Sequence, residues 1–119
     1  MANPNIVNVA TINGNMTAVN LTTSNSTIVT NASSSNKVYK INTIIFSNID
    51  GTNDATASVY LNIGGGAYYL GYELDVIAGT TLVVISKDTS FYLKENQSIV
   101  GRASANSDVC MTVSWEEIS

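Results

Sequence analysis

The stretch "SNIDGTNDATASVYLNI", Ser47 to Ile63, decides the fold, because it reads either as a calcium loop or as a turn between two strands. Asp50, Asn53 and Asp54 fall within five residues, the oxygen-rich kind of run that hard cations bind. A calcium loop of the EF-hand type needs oxygen ligands at its third and fifth positions, glycine at the sixth and glutamate at the twelfth. Counted from Asp50, the third position is Thr52, the glycine has moved up to Gly51, and the twelfth is Leu61. The ligand set therefore fails where it matters, and no metal ligand is assigned. The flanks give the other reading. Ile41, Ile45 and Ile49 lead in at strand spacing, and Ala55, Ala57, Val59, Leu61 and Ile63 lead out at period two. D-G-T-N-D between them supplies the residues that tolerate a left-handed backbone in a hairpin loop.

Working outward, the same grammar repeats. G-G-G at Gly64–Gly66 turns the chain into a strand over 67–77, so it is not the glycine-rich phosphate loop that a helix would have to follow. A-G-T, K-D-T-S, K-E-N-Q and A-N-S-D punctuate further strands over 81–86, 91–94, 98–103 and 109–117. Upstream, 38–49 is a long strand and Ser26–Asn31 a short one. Ile6–Ile12 and Met16–Thr22 read as two strands joined by a tight N-G-N hairpin at Asn13–Asn15. No segment carries a 3.6-residue apolar period. About nine short strands at this spacing predict an all-β chain, a single antiparallel β-sandwich with jelly-roll-like or immunoglobulin-like connections. The polar loop 32–37 divides residues 1–36, an N-terminal arm or the first strands of the same sandwich, from a main sandwich over 37–119.

Composition narrows the function classes. Among 119 residues there is no histidine, which removes Cys-His and Ser-His-Asp catalysis and histidine-containing zinc sites. Five basic residues scattered through a chain of net charge −4 make no stripe for a nucleic-acid backbone. The lone Cys110 sits in an apolar strand and reads as a small buried hydrophobe. The N-terminus lacks the basic and apolar regions of a signal peptide, and no apolar run reaches the length of a membrane helix. The expectation is a soluble chain made in a cytoplasm, with no cofactor.

Two constellations break the simple alternation. In T-I-I-F-S, Ile45 shares parity with Tyr39, Ile41 and Ile49, whereas Ile44 and Phe46 point the other way; Leu82–Ile85 is likewise apolar on both faces. Either another segment of the chain covers the second face, or a partner does. The reading taken is the interface, with Ile44 and Phe46 facing a neighbour. The second constellation is G-A-Y-Y-L-G-Y-E-L-D-V, in which Tyr68 and Tyr72 share parity with Leu70, Leu74 and Val76, and Tyr69 lies opposite with Glu73 and Asp75. Tyrosines beside a carboxylate suit glycan stacking; the plainer alternative is core tyrosines with hydroxyls at the edge. The acids show no pair placed across a cleft for glycoside hydrolysis, so no catalytic residue is assigned.

The runs "SSSNKVYKINTIIFSNIDGTNDATASVYL", "AGTTLVVISKDTSFYLKENQSI" and "VSWEEIS" give the chain from about Ser33 to Ser119 a family likeness. In turn pattern and strand length it resembles the small β-sandwich virion structural proteins of tailed bacteriophages, especially those of marine cyanobacteria. The resemblance implies a non-enzymatic protein present in many copies on the virion, made in the host cytoplasm. Its implied partners are other virion proteins, chiefly the major capsid protein, and copies of itself. A capsid decoration or cement protein is the leading expectation. The alternative is a tail- or fibre-associated module binding a cell-surface glycan through Tyr68, Tyr69 or Tyr72. Ile6, Val7 and Val9, on an N-terminal segment suited to completing a neighbour's sheet, join Ile44 and Phe46 as the expected partner interface.

Overall fold

The computed structural model describes Pro4 and residues 9–119. Nine strands fill them: β1 (Ile12–Asn20), β2 (Ser26–Asn31), β3 (Val38–Asn48), β4 (Ala55–Ile63), β5 (Gly66–Val76), β6 (Thr81–Ile85), β7 (Phe91–Leu93), β8 (Gln97–Ala103) and β9 (Val109–Ile118). A single 3₁₀ turn, Lys87–Thr89, occupies the expected K-D-T-S corner. Every turn proposed after residue 37 lies within a residue or two of its expected place.

The strands form two antiparallel sheets, β1-β9-β3-β6 with β7 also on β3, and β2-β8-β4-β5. First strand pairs with last, second with next to last, and the pairs alternate between sheets, which is jelly-roll order. An immunoglobulin-like order would keep the first two strands in one sheet; here β1 and β2 border different ones. Beside the long β3, β6 pairs the second half (Phe46↔Leu82) and β7 the first (Tyr39↔Leu93). Residues 12–31 thus complete the chain's own sheets.

The core lies between the sheets. Ile41, Ile44, Phe46, Met111 and Val113 from one sheet meet Val59, Val76 and Ile99 from the other, all fully buried. Trp115 closes this layer, 8% exposed and stacked on Tyr39 at 6.0 Å between ring centroids. Gly101 lies in tight packing between the sheets. A Cβ there would sit 2.8 Å from the Met111 sulfur and 3.2 Å from Leu21 Cδ2.

Two expectations are corrected. N-G-N is not a hairpin: Asn13, Gly14 and Asn15 run straight through β1, paired with Glu117, Glu116 and Trp115. The tripeptide has the turn composition, but hydrogen bonding along β9 takes it into an extended strand. Ile44 and Phe46 do not face outward; both are fully buried within the domain. The register against β9 slips between Ile41 (opposite Trp115) and Thr43 (opposite Ser114), leaving Asn42 as an extra residue. A bulge of this kind swaps faces for everything beyond it. Tyr39 and Ile41 point inward before it; Ile44, Phe46 and Asn48 do so after it. Ile45 turns outward, and Ile49 is 60% exposed.

Candidate functional site

The two outer sheet faces differ in chemistry. On the five-stranded sheet, Ile45 lies between Val83 of β6 and Thr112 of β9, and Ala18 of β1 follows on the other side of Thr112. Met16 and Val83 are well exposed. Ser47 and Thr81 share a hydroxyl–hydroxyl bond of 3.1 Å. Charge enters this face only at one end, where Lys40 stands opposite Glu116 and Tyr92. The bordering strand β1, I-N-G-N-M-T-A-V-N, holds neither charge nor proline and is exposed along most of its length. Cys110 is half-buried on the outward parity of β9, opposite Asn20 and Ser47, rather than in the core. Of the expected interface residues, Val9 is half-buried and lies outside the strands. Ile6 and Val7 lie outside the described residues.

The outer face of the four-stranded sheet gathers aromatic rings. Tyr60 of β4 stands opposite Tyr69 of β5, with 5.1 Å between ring centroids, and Tyr69 meets Tyr72 edge-on at 5.0 Å. Strict alternation puts Tyr69 and Tyr72 on opposite faces, since they are three apart. Two register slips bring them together. Tyr60 faces Tyr69 while Val59 faces Gly71, which leaves Leu70 extra; Ala57 faces Leu74, which leaves a second extra residue after Gly71. Leu70 and Leu74 pack on the core, and both tyrosines stay outside. Gly71 sits in this crowded bend, where an added Cβ would run into the Leu74 side chain and force it to move. Tyr68 is also exposed, but it folds back over Gly66 and is not among the stacked rings.

Arg102 of β8 completes the cluster, its guanidinium carbon 5.8 Å from the Tyr72 ring centre. Beside it opens a groove of about 290 Å³ lined by Thr23, Thr56, Ser58, Glu73, Arg102, Ala103 and Ser104. Glu73 adopts φ +47°, a left-handed conformation rare for a side chain of this size. Its N–H donates to Ser58 Oγ at 2.8 Å, which pins the bend to β4. Across the groove the Thr56 N–H donates to Ser104 Oγ at 2.9 Å. Tyr60, Arg102 and Ser58 escaped the sequence reading. The signal was present: Thr56, Ser58 and Tyr60 are the outward set of β4's clean alternation, and Arg102 is the register partner of Ser58.

Asp50, Asp54 and Glu117 are engaged locally. Asp50 Oδ1 accepts the Thr52 N–H at 2.9 Å and the Asn53 N–H at 3.3 Å, and its other oxygen takes Asn53 Nδ2. These bonds, that from Thr52 foremost, hold its carboxyl below the ordinary aspartate value. Asp54 accepts the Ala78 N–H and ties this loop to the next. Among the described residues no three His, Cys, Asp or Glu side chains group as metal ligands. Glu117 accepts from Asn15, Lys37 and Trp115 Nε1 at 2.8, 3.2 and 3.2 Å. Partial burial pushes its carboxyl up, but those three bonds and the Lys37 charge outweigh that and hold it below the ordinary glutamate value.

No protein-family model matches the chain, and no curated protein matches it.

Proposed function

We propose that this chain is a non-enzymatic virion structural protein of a tailed bacteriophage, a decoration or cement protein that stabilises the capsid shell. One observation carries the reading: the outer face of the five-stranded sheet, uncharged except at its Lys40–Glu116 end, runs into an uncharged edge strand, β1, whose outer edge pairs with no other strand among the described residues. A free edge presents a row of N–H and C=O groups ready to pair with another chain, and proteins that stay apart blunt such edges with lysine, proline or bulges. β1 has none of these. The resemblance in turn pattern to small phage β-sandwich proteins points the same way. So does the jelly roll itself, a fold used in viral capsids and in lectins, though that support is fold-level analogy.

In this reading copies of the chain associate through β1 and the face carrying Met16, Ile45 and Val83, and the assembly binds the major capsid protein. The test takes shells assembled without the protein, adds it back, and measures sedimentation with the shell and resistance to heat. Wild type binds and protects. Ile45→Asp and Val83→Asp stay folded and do neither. Failure of the wild-type protein to bind or protect shells refutes the reading. The tyrosine surface of the other sheet favours a second reading, a tail- or fibre-associated module that holds a cell-surface glycan by stacking.

A further inference from the structure

We propose that the groove between β4, β5 and β8 is a binding site for a neutral saccharide, with Arg102, Glu73 and Ser58 as its polar contacts and the exposed Tyr72 ring, outside the groove but next to Arg102, as an adjoining stacking surface. The inference rests on the second reading of function and adds Arg102 and Ser58, which the sequence reading missed, as the polar half of the site.

Four observations converge on it. Arg102 and Glu73 line the same groove yet form no ion pair, and among the described residues the only ion pair is Lys37 with Glu117. A guanidinium and a carboxylate so placed offer donors and acceptors to one ligand, and vicinal hydroxyls can use both at once. Ser58 is 2% exposed and accepts from the Glu73 N–H, which leaves its own O–H free to donate. Tyr72 is 58% exposed, with Tyr69 edge-on to it at 5.0 Å and the Arg102 guanidinium over its ring. An exposed ring beside a polar cleft fits a ligand with one C–H-rich face and one hydroxyl-rich edge. Finally, the backbone conformation of Glu73 is costly for a non-glycine residue, and such positions concentrate at sites that use them. Here the bend sets Glu73 on the groove.

Charge selects within the class. Asp75 stands opposite Thr56 at the rim, so the surface carries Glu73 and Asp75 against the single Arg102. An acidic sugar is disfavoured by this balance, and a neutral one is accepted.

The experiment titrates ¹⁵N-labelled full-length protein with maltotriose, cellotriose, mannotriose and chitotriose and follows the backbone amide shifts. At least one trisaccharide should give saturable shifts centred on Ser58, Glu73, Arg102 and Ser104. Arg102→Ala and Tyr72→Ala should each weaken that binding roughly tenfold, the loss expected for a charged hydrogen bond or a stacking face. Glu73→Gly separates site from fold: glycine adopts positive φ freely, so the variant keeps its melting temperature while losing the carboxylate and the binding. Lys40→Ala, on the opposite sheet, should bind as wild type. Saturable binding untouched by Arg102→Ala and Glu73→Gly overturns the groove and leaves the glycan reading standing on the tyrosines. No saturable shift with any of the four sugars overturns both.

Discussion

Replacing Phe46 by alanine measures the bulge at Asn42 directly, because that single extra residue puts Phe46 inside and Ile45 outside. Phe46 is fully buried between Leu82 of β6 and Met111 of β9. Truncating a phenylalanine in such a place removes its transfer free energy and leaves a cavity, a loss of about 3–5 kcal/mol. A domain of this length is stable by about 5–15 kcal/mol, so the loss is a large fraction of the whole. With a urea dependence of about 2 kcal/mol per molar, the unfolding midpoint should fall by roughly 1.5–2.5 M. Ile45→Ala, on the outer face, should cost about 1 kcal/mol or less, mostly lost strand preference. Trp115, the sole tryptophan, reports both transitions by fluorescence.

A control sharpens the comparison. Deleting Asn42 leaves Tyr39, Ile41, Ile44 and Phe46 on one face of a regular strand, so the deletion should fold and lose only the 3.3 Å bond from Asn42 Nδ2 to Glu116. The reasoning is refuted if Ile45→Ala proves the more damaging substitution. That result means uninterrupted alternation from Tyr39 to Ile49, with Ile44 and Phe46 facing outward after all.

Three further outcomes are expected. Trp115→Ala should destabilise by about 3–5 kcal/mol, and the wild-type emission should be that of a shielded indole; an emission typical of full exposure contradicts the packing against Tyr39. Because the folded-state pKa of Glu117 is depressed, its stabilisation is complete above the ordinary glutamate value and is lost as pH falls through the lower folded value. Wild type should therefore lose urea resistance on acidification more steeply than Glu117→Gln, and parallel curves count against the three-bond arrangement. Calcium near millimolar should leave the melting temperature unchanged, since Asp50 is engaged with Thr52 and Asn53; a rise of several degrees restores the loop as a metal site.

How much of this was legible depends on which signals are local. Turn residues and period-two alternation depend on a few neighbours, so the strands after residue 37 and the sandwich could be read directly. N-G-N failed because β9 lies a hundred residues away and its pairing outweighs a local turn preference; both states were chemically available to the tripeptide. The buried polar residues were also beyond reach. Asn48 and Asn31 are interior and bridge backbone groups of separate loops, Asn48 to Asn53 and Val76, Asn31 to Lys37 and Leu93. In a chain so rich in asparagine, nothing local distinguishes those two from the exposed ones.

Parity failed for a more general reason, and the failures fall where the surfaces are made. Each bulge carries a residue count that alternation cannot see, and each re-aims the side chains beyond it. At Asn42 it sends Phe46 into the core and presents Ile45 beside Val83 on the uncharged face. In β5 two slips turn Leu70 and Leu74 inward, hold Tyr69 against Tyr72, and set Glu73 on the groove with Arg102. A regular β5 would scatter those tyrosines over both faces, and one of them would need burial. The irregular one keeps a full apolar complement inside and an aromatic cluster outside from the same eleven residues. Where an apolar strand reads as two-faced, counting for a possible bulge comes before inferring a partner, because one extra residue converts an apparent interface into core and moves the true outer face by one position.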